Sequence, residues 1–339
     1  MTPWFRKQTF TLPLLVLLVT VVSTAVVFQE SILAAPVVFL IGCLVTYLET
    51  ITLLSFRAPS NKKPPLEHEG WHHVRHAIGP DTVSTYHRHG HPNRPTVILC
   101  HGWMSGAVRM EGRAQTFLAQ NWSVVMLDLP SHGDSSNLSK WTAERSCSLV
   151  IEALNRLSRE HELFESNVHF YGHSMGGFIG LRLSHRREEL LFGEQLSSWI
   201  FESPMTGYSE IHRETMRLLR VPPLLRGIVL RKTIRHFNAL NRGRPDIQHL
   251  DEADMPQWGM PREKTLLLQA SPDERLGDAH YLRLIACLEP YPDLLEVHLL
   301  NDLTHSGSHH HDGREKIVDV WIRNIAGKGA PEVIASTSE

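Results

Sequence analysis

A serine flanked by glycines, between a strand-like and a helix-like segment, constrains this chain more than any other feature. Residues 167–171 favour a β-strand, residues 172–177 read Gly-His-Ser-Met-Gly-Gly, and an apolar helical pattern comes next. A strand that turns directly into a helix bends too sharply for side chains at the flanks, which explains glycine at Gly172 and Gly176. The bend would lift the Ser174 hydroxyl out of the sheet, above the N–H groups that begin the helix.

Two other strand-like segments end in polar loops. One at 96–100 ends in His101-Gly102-Trp103, and a later one ends in the loop 128–135, Asp-Leu-Pro-Ser-His-Gly-Asp-Ser. Together with the glycine-flanked serine, these loops resemble the α/β-hydrolase superfamily, in its serine esterase and lipase-like branch. The resemblance covers roughly residues 70–326, with Ser131 where the second loop usually has glycine.

The resemblance implies a chemical role for several of these residues. Ser174 would be the nucleophile, held in a nucleophile elbow by Gly172 and Gly176. The backbone N–H groups of Trp103 and Met175 would bind the oxyanion, and one such donor typically lowers the barrier by about 3–4 kcal/mol. A serine hydroxyl is a weak nucleophile by itself, so a neighbouring base is required.

The base is expected in the loop after the last strand, because the superfamily orders its residues as serine, acid and histidine. A strand-like segment at 294–300 is followed by the loop 301–305, and we assign the base to His305. The chain has 22 histidines, so position rather than residue type decides this assignment. The competing histidines lie in that strand or nearer the following helix: His298, His309, His310 and His311.

The acid is expected after the preceding strand, 265–270, where Asp273 occupies the position usual in the superfamily. Its carboxylate would accept the Nδ1–H of His305 and stabilise the imidazolium that forms. Three other carboxylates remain alternatives: Glu274 and Asp278 nearby, and Glu202 at the end of an earlier strand.

The order of segments predicts an α/β fold, because strands that alternate with helices form a parallel, doubly wound sheet. The resemblance implies a mostly parallel sheet of eight strands, with a helical cap inserted at about 205–264. We expect this α/β-hydrolase domain to occupy residues 71–326, after a linker at 61–70. Residues 327–339 are predicted to form a disordered tail.

Two apolar segments, at about 9–28 and 32–55, precede the linker and contain Glu49 as their only charged residue. At about 1.5 Å per residue, each is long enough to cross a hydrocarbon core of roughly 30 Å. We therefore predict a membrane anchor at 1–60, a transmembrane helical hairpin; a cleaved signal peptide is the alternative for the first segment. Lysine and arginine flank only the outer ends of the pair, which predicts a cytoplasmic catalytic domain.

No cofactor, no nucleic-acid partner and no metal site is expected. The four scattered cysteines do not form a disulfide framework. Histidines are dense around the first two strands, without the cysteine or carboxylate spacing of a known metal site. These histidines are His68, His72, His73, His76, His87, His89 and His91.

These features predict a membrane-anchored serine hydrolase that cleaves carboxylic esters, including lipid esters or thioesters, through an acyl-enzyme on Ser174. Its partners would be a small-molecule or lipid ester and the membrane. Two alternatives remain open: an acyltransferase that uses the same acyl-enzyme, and a non-catalytic, membrane-tethered scaffold on a hydrolase fold.

Overall fold

A computed structural model describes residues 4–59, 62–306 and 309–326. The predicted disordered tail, 327–339, lies outside the described residues. The strands are β1 (His72–Ile78), β2 (Asp81–Arg88), β3 (Thr96–Cys100), β4 (Ser123–Asp128), β5 (Val168–His173), β6 (Leu196–Glu202), β7 (Lys264–Ala270) and β8 (Leu295–Leu300). The helices are α1 (Trp4–Glu30), α2 (Ala35–Leu54), α3 (Glu111–Leu118), α4 (Ala143–Glu160), α5 (Met175–His185), α6 (Tyr208–Leu218), α7 (Pro223–Leu240), α8 (Asp278–Leu288) and α9 (Asp312–Ala326).

The strands form one sheet in the order β1-β2-β4-β3-β5-β6-β7-β8. β1 and β2 form an antiparallel hairpin, β2 pairs antiparallel with β4, and the remaining neighbours are parallel. The predicted eight-stranded, mostly parallel sheet is confirmed. The carboxyl ends of β3 to β8 therefore share one edge, where the loops that carry the predicted site residues emerge.

Successive side chains of a strand point to opposite faces, so the apolar core is divided between the two faces of the sheet. In β3, Ile98 and Cys100 pack on one face, whereas Val97 and Leu99 pack on the other. Helices α4, α5 and α8 cover the first face, and α3 and α9 cover the second. A parallel sheet must be covered on both faces, and this arrangement is doubly wound as predicted.

The N-terminal helices α1 and α2 pack side by side and are joined by residues 31–34. Gly42 permits the close approach, because a Cβ there would lie 2.1 Å from Cγ2 of Thr20. By length and composition both helices could cross a membrane, and only 11% and 22% of the residues in their most apolar windows are buried. This exposure distinguishes them from core helices, while their position at the N-terminus also fits a signal sequence.

The end of α2 packs against the region between β6 and β7, where the cap is predicted and where α6 and α7 lie. Leu48 and Ile51 of α2 form a small apolar cluster with Met216 of α6 and Val229 of α7. Beyond α2, Phe56 is 1% exposed in the main core. The residues that precede the predicted boundary at 61 thus contribute to the packing of the catalytic domain.

Candidate active site

Ser174 lies at the junction of β5 and α5 with φ 52° and ψ −115°. Such a backbone conformation costs a non-glycine residue about 1–3 kcal/mol and is typical of functional sites. A Cβ at Gly176 would lie 2.0 Å from the carbonyl oxygen of Cys100, and one at Gly172 would lie 2.6 Å from the nitrogen of Gly177. Both glycines therefore have the steric role that the sequence indicates.

Three predicted side chains meet at the carboxyl edge of the sheet. Nε2 of His305 lies 2.9 Å from Oγ of Ser174, and Nδ1 of His305 lies 2.8 Å from Oδ2 of Asp273. All three residues are buried. The loops after β5, β7 and β8 bring them together, because these strands lie close together in the sheet. This geometry allows the imidazole to accept the serine proton while its Nδ1–H donates to the carboxylate.

The surroundings of Asp273 favour its charged form. Burial alone would raise the pKa of this carboxyl, because burial disfavours a charge. The hydrogen bond from His305, together with those from the backbone N–H groups of Leu276 (2.8 Å) and Arg275 (2.9 Å), outweighs burial and lowers the pKa. The side-chain amide of Gln269 donates a further hydrogen bond at 3.1 Å. An ionised Asp273 accepts the Nδ1–H of His305, which leaves the lone pair of Nε2 directed at Ser174.

Glu202, the more distant alternative for the acid, belongs to a different network. Its carboxylate is 1% exposed and accepts hydrogen bonds from Nε and Nη2 of Arg113, both at 2.6 Å. The Tyr171 hydroxyl donates at 2.6 Å, and Nη1 of Arg314 donates at 3.3 Å. Burial works against its charge, but Arg113 and Arg314 hold its pKa well below the usual range. The carboxylate of Glu202 thus forms ion pairs with Arg113 and Arg314.

The remaining alternatives lie beside the triad or away from it. The carboxylate of Glu274 accepts the backbone N–H of His305 at 3.1 Å, and Asp278 begins α8. His309 lines the cavity described below. The other three competing histidines each face an acidic side chain: His298 faces Glu296, His310 faces Glu315 and His311 faces Asp302.

Two backbone N–H groups beside Ser174 are available to an anion. Trp103 and Met175 line the same cavity as the serine. Within the described residues, neither backbone N–H donates a hydrogen bond. Met175 is the first residue of α5, so its N–H contributes to the partial positive charge of a helix N-terminus.

Buried polar groups hold the loop that carries Trp103. His101 donates from Nδ1 to the next carbonyl at 2.7 Å, and its Nε2 accepts the N–H of Leu129 at 3.0 Å. Burial lowers the pKa of His101, which favours the neutral ring that these two bonds require. Oδ1 of Asp128 accepts the N–H of Ala107 at 2.7 Å. The two contacts with residues 128 and 129 join distant parts of the chain and fix the path of the loop between β3 and α3.

His173 is a positioning residue that the sequence did not reveal. Its Nε2 lies 2.7 Å from the backbone oxygen of His305 and donates to it. Burial lowers the pKa of His173 to about 4, so the ring is neutral at pH 7. The ring also lies close to Gly102, where a Cβ would approach Nδ1 to 3.0 Å. In the sequence, the position of His173 between Gly172 and Ser174 is the one sign of a role, and no known motif assigns it one.

A cavity of about 910 Å³ opens over Ser174. Its walls are amphiphilic, and among the described lining residues Glu214 is the only carboxylate. The end of α2 contributes Leu54 and Ser55 to the wall. Apolar lining side chains include Met104, Met205, Ile211 and Leu218, and cationic ones include Arg57, Lys63, Arg109 and Arg275.

Comparison with known proteins agrees with this architecture. A family model described as the alpha/beta hydrolase family matches residues 97–334. This chain belongs to the alpha/beta hydrolase family. The matched segment contains the elbow at Ser174 and the loops that carry Asp273 and His305. The resemblance seen in the sequence is confirmed at the level of the superfamily.

Several known proteins are similar to this hydrolase. The pimeloyl-[acyl-carrier protein] methyl ester esterase of Methylococcus capsulatus is 33% identical over 88 residues, which is 26% of this chain and 30% of that protein. The chain spans less than half the length of the curated relatives it matches.

Two solved structures share the fold. Pyrococcus furiosus esterase Pf2001 has a TM-score of 0.56 at 12% identity, covering 79% of this chain and 98% of that one. Mouse alpha/beta hydrolase domain-containing protein 10 has a TM-score of 0.52 at 14% identity, covering 76% and 100%. At such low identity the likeness shows a common fold.

Proposed function

We propose that this hydrolase is a membrane-anchored serine enzyme that cleaves carboxylic esters through an acyl-enzyme on Ser174. The observation that carries the proposal is the continuous series of contacts from Ser174 through His305 to Asp273, at 2.9 and 2.8 Å. The family contains esterases, and the Methylococcus relative is named as a methyl ester esterase.

In the proposed reaction, Oγ of Ser174 attacks the ester carbonyl carbon while Nε2 of His305 takes its proton. The tetrahedral oxyanion accepts hydrogen bonds from the N–H groups of Trp103 and Met175. His305 then protonates the leaving alcohol as the C–O bond breaks. A water molecule, deprotonated by His305, attacks the acyl carbon, and His305 returns that proton to Oγ of Ser174 as the acyl–serine bond breaks and the carboxylic acid leaves. Asp273 stabilises the imidazolium in both halves of the reaction.

The cavity supports an amphiphilic ester as substrate. Its volume of about 910 Å³ is near the upper end of the usual range of about 300–1,000 Å³ for small-molecule sites. Apolar walls such as Ile211 and Leu218 suit an acyl chain, whereas Arg57, Lys63 and Arg109 suit a polar or anionic group. An ester with a medium-length or long acyl chain and a polar head fits both the apolar walls and the cationic side chains of the cavity.

The placement of α2 supports a membrane source for that ester. Leu54 and Ser55 line the cavity, so the second apolar helix ends at the wall of the substrate site. Lys232 of α7 pairs with Glu49 of α2, which adds an ionic contact to the apolar cluster between them. If α1 and α2 span the bilayer, the cavity opens at its surface, and the flanking lysines and arginines favour the cytoplasmic side.

The hydrolytic activity is tested with p-nitrophenyl esters of increasing acyl length, using the full chain in detergent. Ser174→Ala should lose turnover on the order of 10⁶-fold, because the nucleophile and its base act as a unit. Ser184→Ala is the matched control, because Ser184 lies on α5, which Ser174 precedes, and among the described residues its hydroxyl donates only to the carbonyl of Leu181. Near-normal turnover in a folded Ser174→Ala protein would contradict the proposal. A folded wild-type chain that cleaves none of the esters would favour the scaffold alternative.

The anchor is tested separately in intact cells. A reporter active only in the cytoplasm, fused after Glu339, should be active, and the protein should resist extraction with alkaline carbonate. Digestion of the catalytic domain by protease added outside the cells would reverse the proposed orientation. Release of the domain by carbonate would contradict the anchor itself.

A further inference from the structure

Three imidazoles meet at the edge of the sheet opposite to Ser174. His87 stands near the end of β2, His89 follows that strand, and His161 caps the end of α4. One ring nitrogen of each lies within 4.8 Å of those of the other two. His87 pairs with Val125 near the start of β4, so the group lies at the amino-terminal edge of the parallel strands.

The central ring of this group lacks a polar partner. His87 is 1% exposed, and its buried Nδ1 forms no hydrogen bond with any residue that the structure describes. An unsatisfied buried polar atom costs about 1–3 kcal/mol, so such atoms are rare without a ligand. The ring contacts of His87 are other imidazoles: its centroid lies 4.4 Å from that of His161 and 5.3 Å from those of His89 and His72.

An imidazole binds a metal ion through a ring nitrogen, and Nδ1 of His87 has no other partner among the residues that the structure describes. A neutral imidazole has the free lone pair that metal binding requires. In addition, the C-terminal end of α4 beside His161 carries a partial negative charge.

We propose that His87, His89 and His161 bind a divalent transition-metal ion, with Zn²⁺ as the expected occupant. Three imidazole nitrogens without a thiolate are a ligand set that suits Zn²⁺. Bonds of about 2.0–2.1 Å place tetrahedral ligand atoms roughly 3.4 Å apart, so the more exposed His89 and His161 would close on His87. A water molecule would take the fourth position, because the three imidazoles leave one tetrahedral position open.

The bound ion would connect the end of β2 to the end of α4. Its position at the edge opposite to the triad gives it a structural role rather than a part in ester cleavage. The sequence predicted no metal site, because a pattern within the first two strands cannot show that His161 joins His87 and His89.

Zinc binding to the full chain in detergent tests the proposal, with a purification tag that contains no histidine. Isothermal titration with ZnCl₂ should show one ion bound per wild-type chain. The double variant His89→Gln/His161→Gln should lose that ion. His91→Gln is the matched control, because His91 is an exposed histidine two residues beyond His89 that lies outside the group, and it should keep one ion.

Two further measurements check that the variant is folded and that Zn²⁺ stabilises the chain. Circular dichroism must show that the double variant is folded, which is expected because both substituted residues are partly or fully exposed. Zn²⁺ should raise the midpoint of thermal unfolding of the wild type and of His91→Gln, but not that of the double variant. A wild type that binds no Zn²⁺, or a folded double variant that still binds one equivalent, would overturn the proposal. Neither outcome depends on the proposed ester hydrolysis.

Discussion

Replacing Glu202 by glutamine should destabilise the fold severely, because this carboxylate is the common partner of two buried arginines. Arg113 is 4% exposed and Arg314 is fully buried, and both donate to Glu202. The Tyr171 hydroxyl completes the network at 2.6 Å. Glutamine has nearly the same shape but carries no charge, so Glu202→Gln deprives the buried Arg113 of this counter-ion and removes one of the partners of Arg314, which also pairs with Glu315.

The expected fall in stability of Glu202→Gln can be worked out from the loss of this buried charge. Removing one partner of a buried ion pair typically costs about 3–5 kcal/mol, a large part of the roughly 5–15 kcal/mol that stabilises a domain. Each kcal/mol shifts the unfolding midpoint of a domain of this size by about 2–4 °C, so we expect a fall of about 6–20 °C. Glu152→Gln is the control, because Glu152 pairs with Arg156 on an exposed helix surface. Such pairs contribute about 0.3–0.5 kcal/mol, so its midpoint should fall by less than about 2 °C.

The assay is thermal unfolding of the full chain in detergent, followed by circular dichroism, with ester hydrolysis measured well below the midpoint. A lowered pKa means that Glu202 contributes stability above its unfolded value of about 4.3, and that this contribution is lost as pH falls through the lower folded pKa. The difference between wild type and Glu202→Gln should therefore shrink below about pH 4. If the variant instead keeps the wild-type midpoint while turnover falls by orders of magnitude, Glu202 is the catalytic acid and the role given to Asp273 is wrong.

The remaining predictions concern the triad and the packing. Asp273→Asn should leave the unfolding midpoint within a few degrees of the wild type but lower turnover by about 10⁴, because asparagine favours the wrong tautomer of His305; unchanged kinetics would exclude Asp273 as the acid. The double variant Ser174→Ala/His305→Ala should be scarcely slower than either single variant, and additive losses would contradict their action as a unit. Phe56→Ala should cost about 3–5 kcal/mol in thermal unfolding, and a silent change would mean that the segment before residue 61 is dispensable. Gly227→Ala should stabilise the chain by up to about 1 kcal/mol, because a Cβ there meets nothing within 4 Å in α7; a lower midpoint would argue against that helix.

Local sequence patterns were sufficient for the sheet and for the loops that carry the triad. Each of Ser174, Asp273 and His305 follows a recognisable strand, and neighbouring parallel strands bring their carboxyl ends to one edge. The order of the strand-like segments thus predicted which side chains would meet. The same patterns could not predict contacts between distant segments, because those depend on how the elements pack.

Three features show this limit in physical terms. The segment before α3 forms a 3₁₀ turn at Ala107–Arg109, next to the contact of Asp128 with the N–H of Ala107. Ser131 stands where glycine is usual and has φ 70°, a conformation accompanied by a hydrogen bond from the N–H of Leu138 to its hydroxyl at 2.8 Å. The contact of α2 with α6 and α7 joins residues far apart in the chain.

The central claim, that Ser174 is an activated nucleophile, is tested most directly by mass spectrometry after treatment with a fluorophosphonate. An ordinary serine hydroxyl does not react with this probe, whereas one paired with a base does. The full-length wild type should gain one adduct per chain, and peptide mapping should place it on Ser174. Ser174→Ala should gain none, and His305→Ala should react far more slowly. A folded wild type that stays unlabelled, or an adduct that persists in Ser174→Ala, would contradict the account.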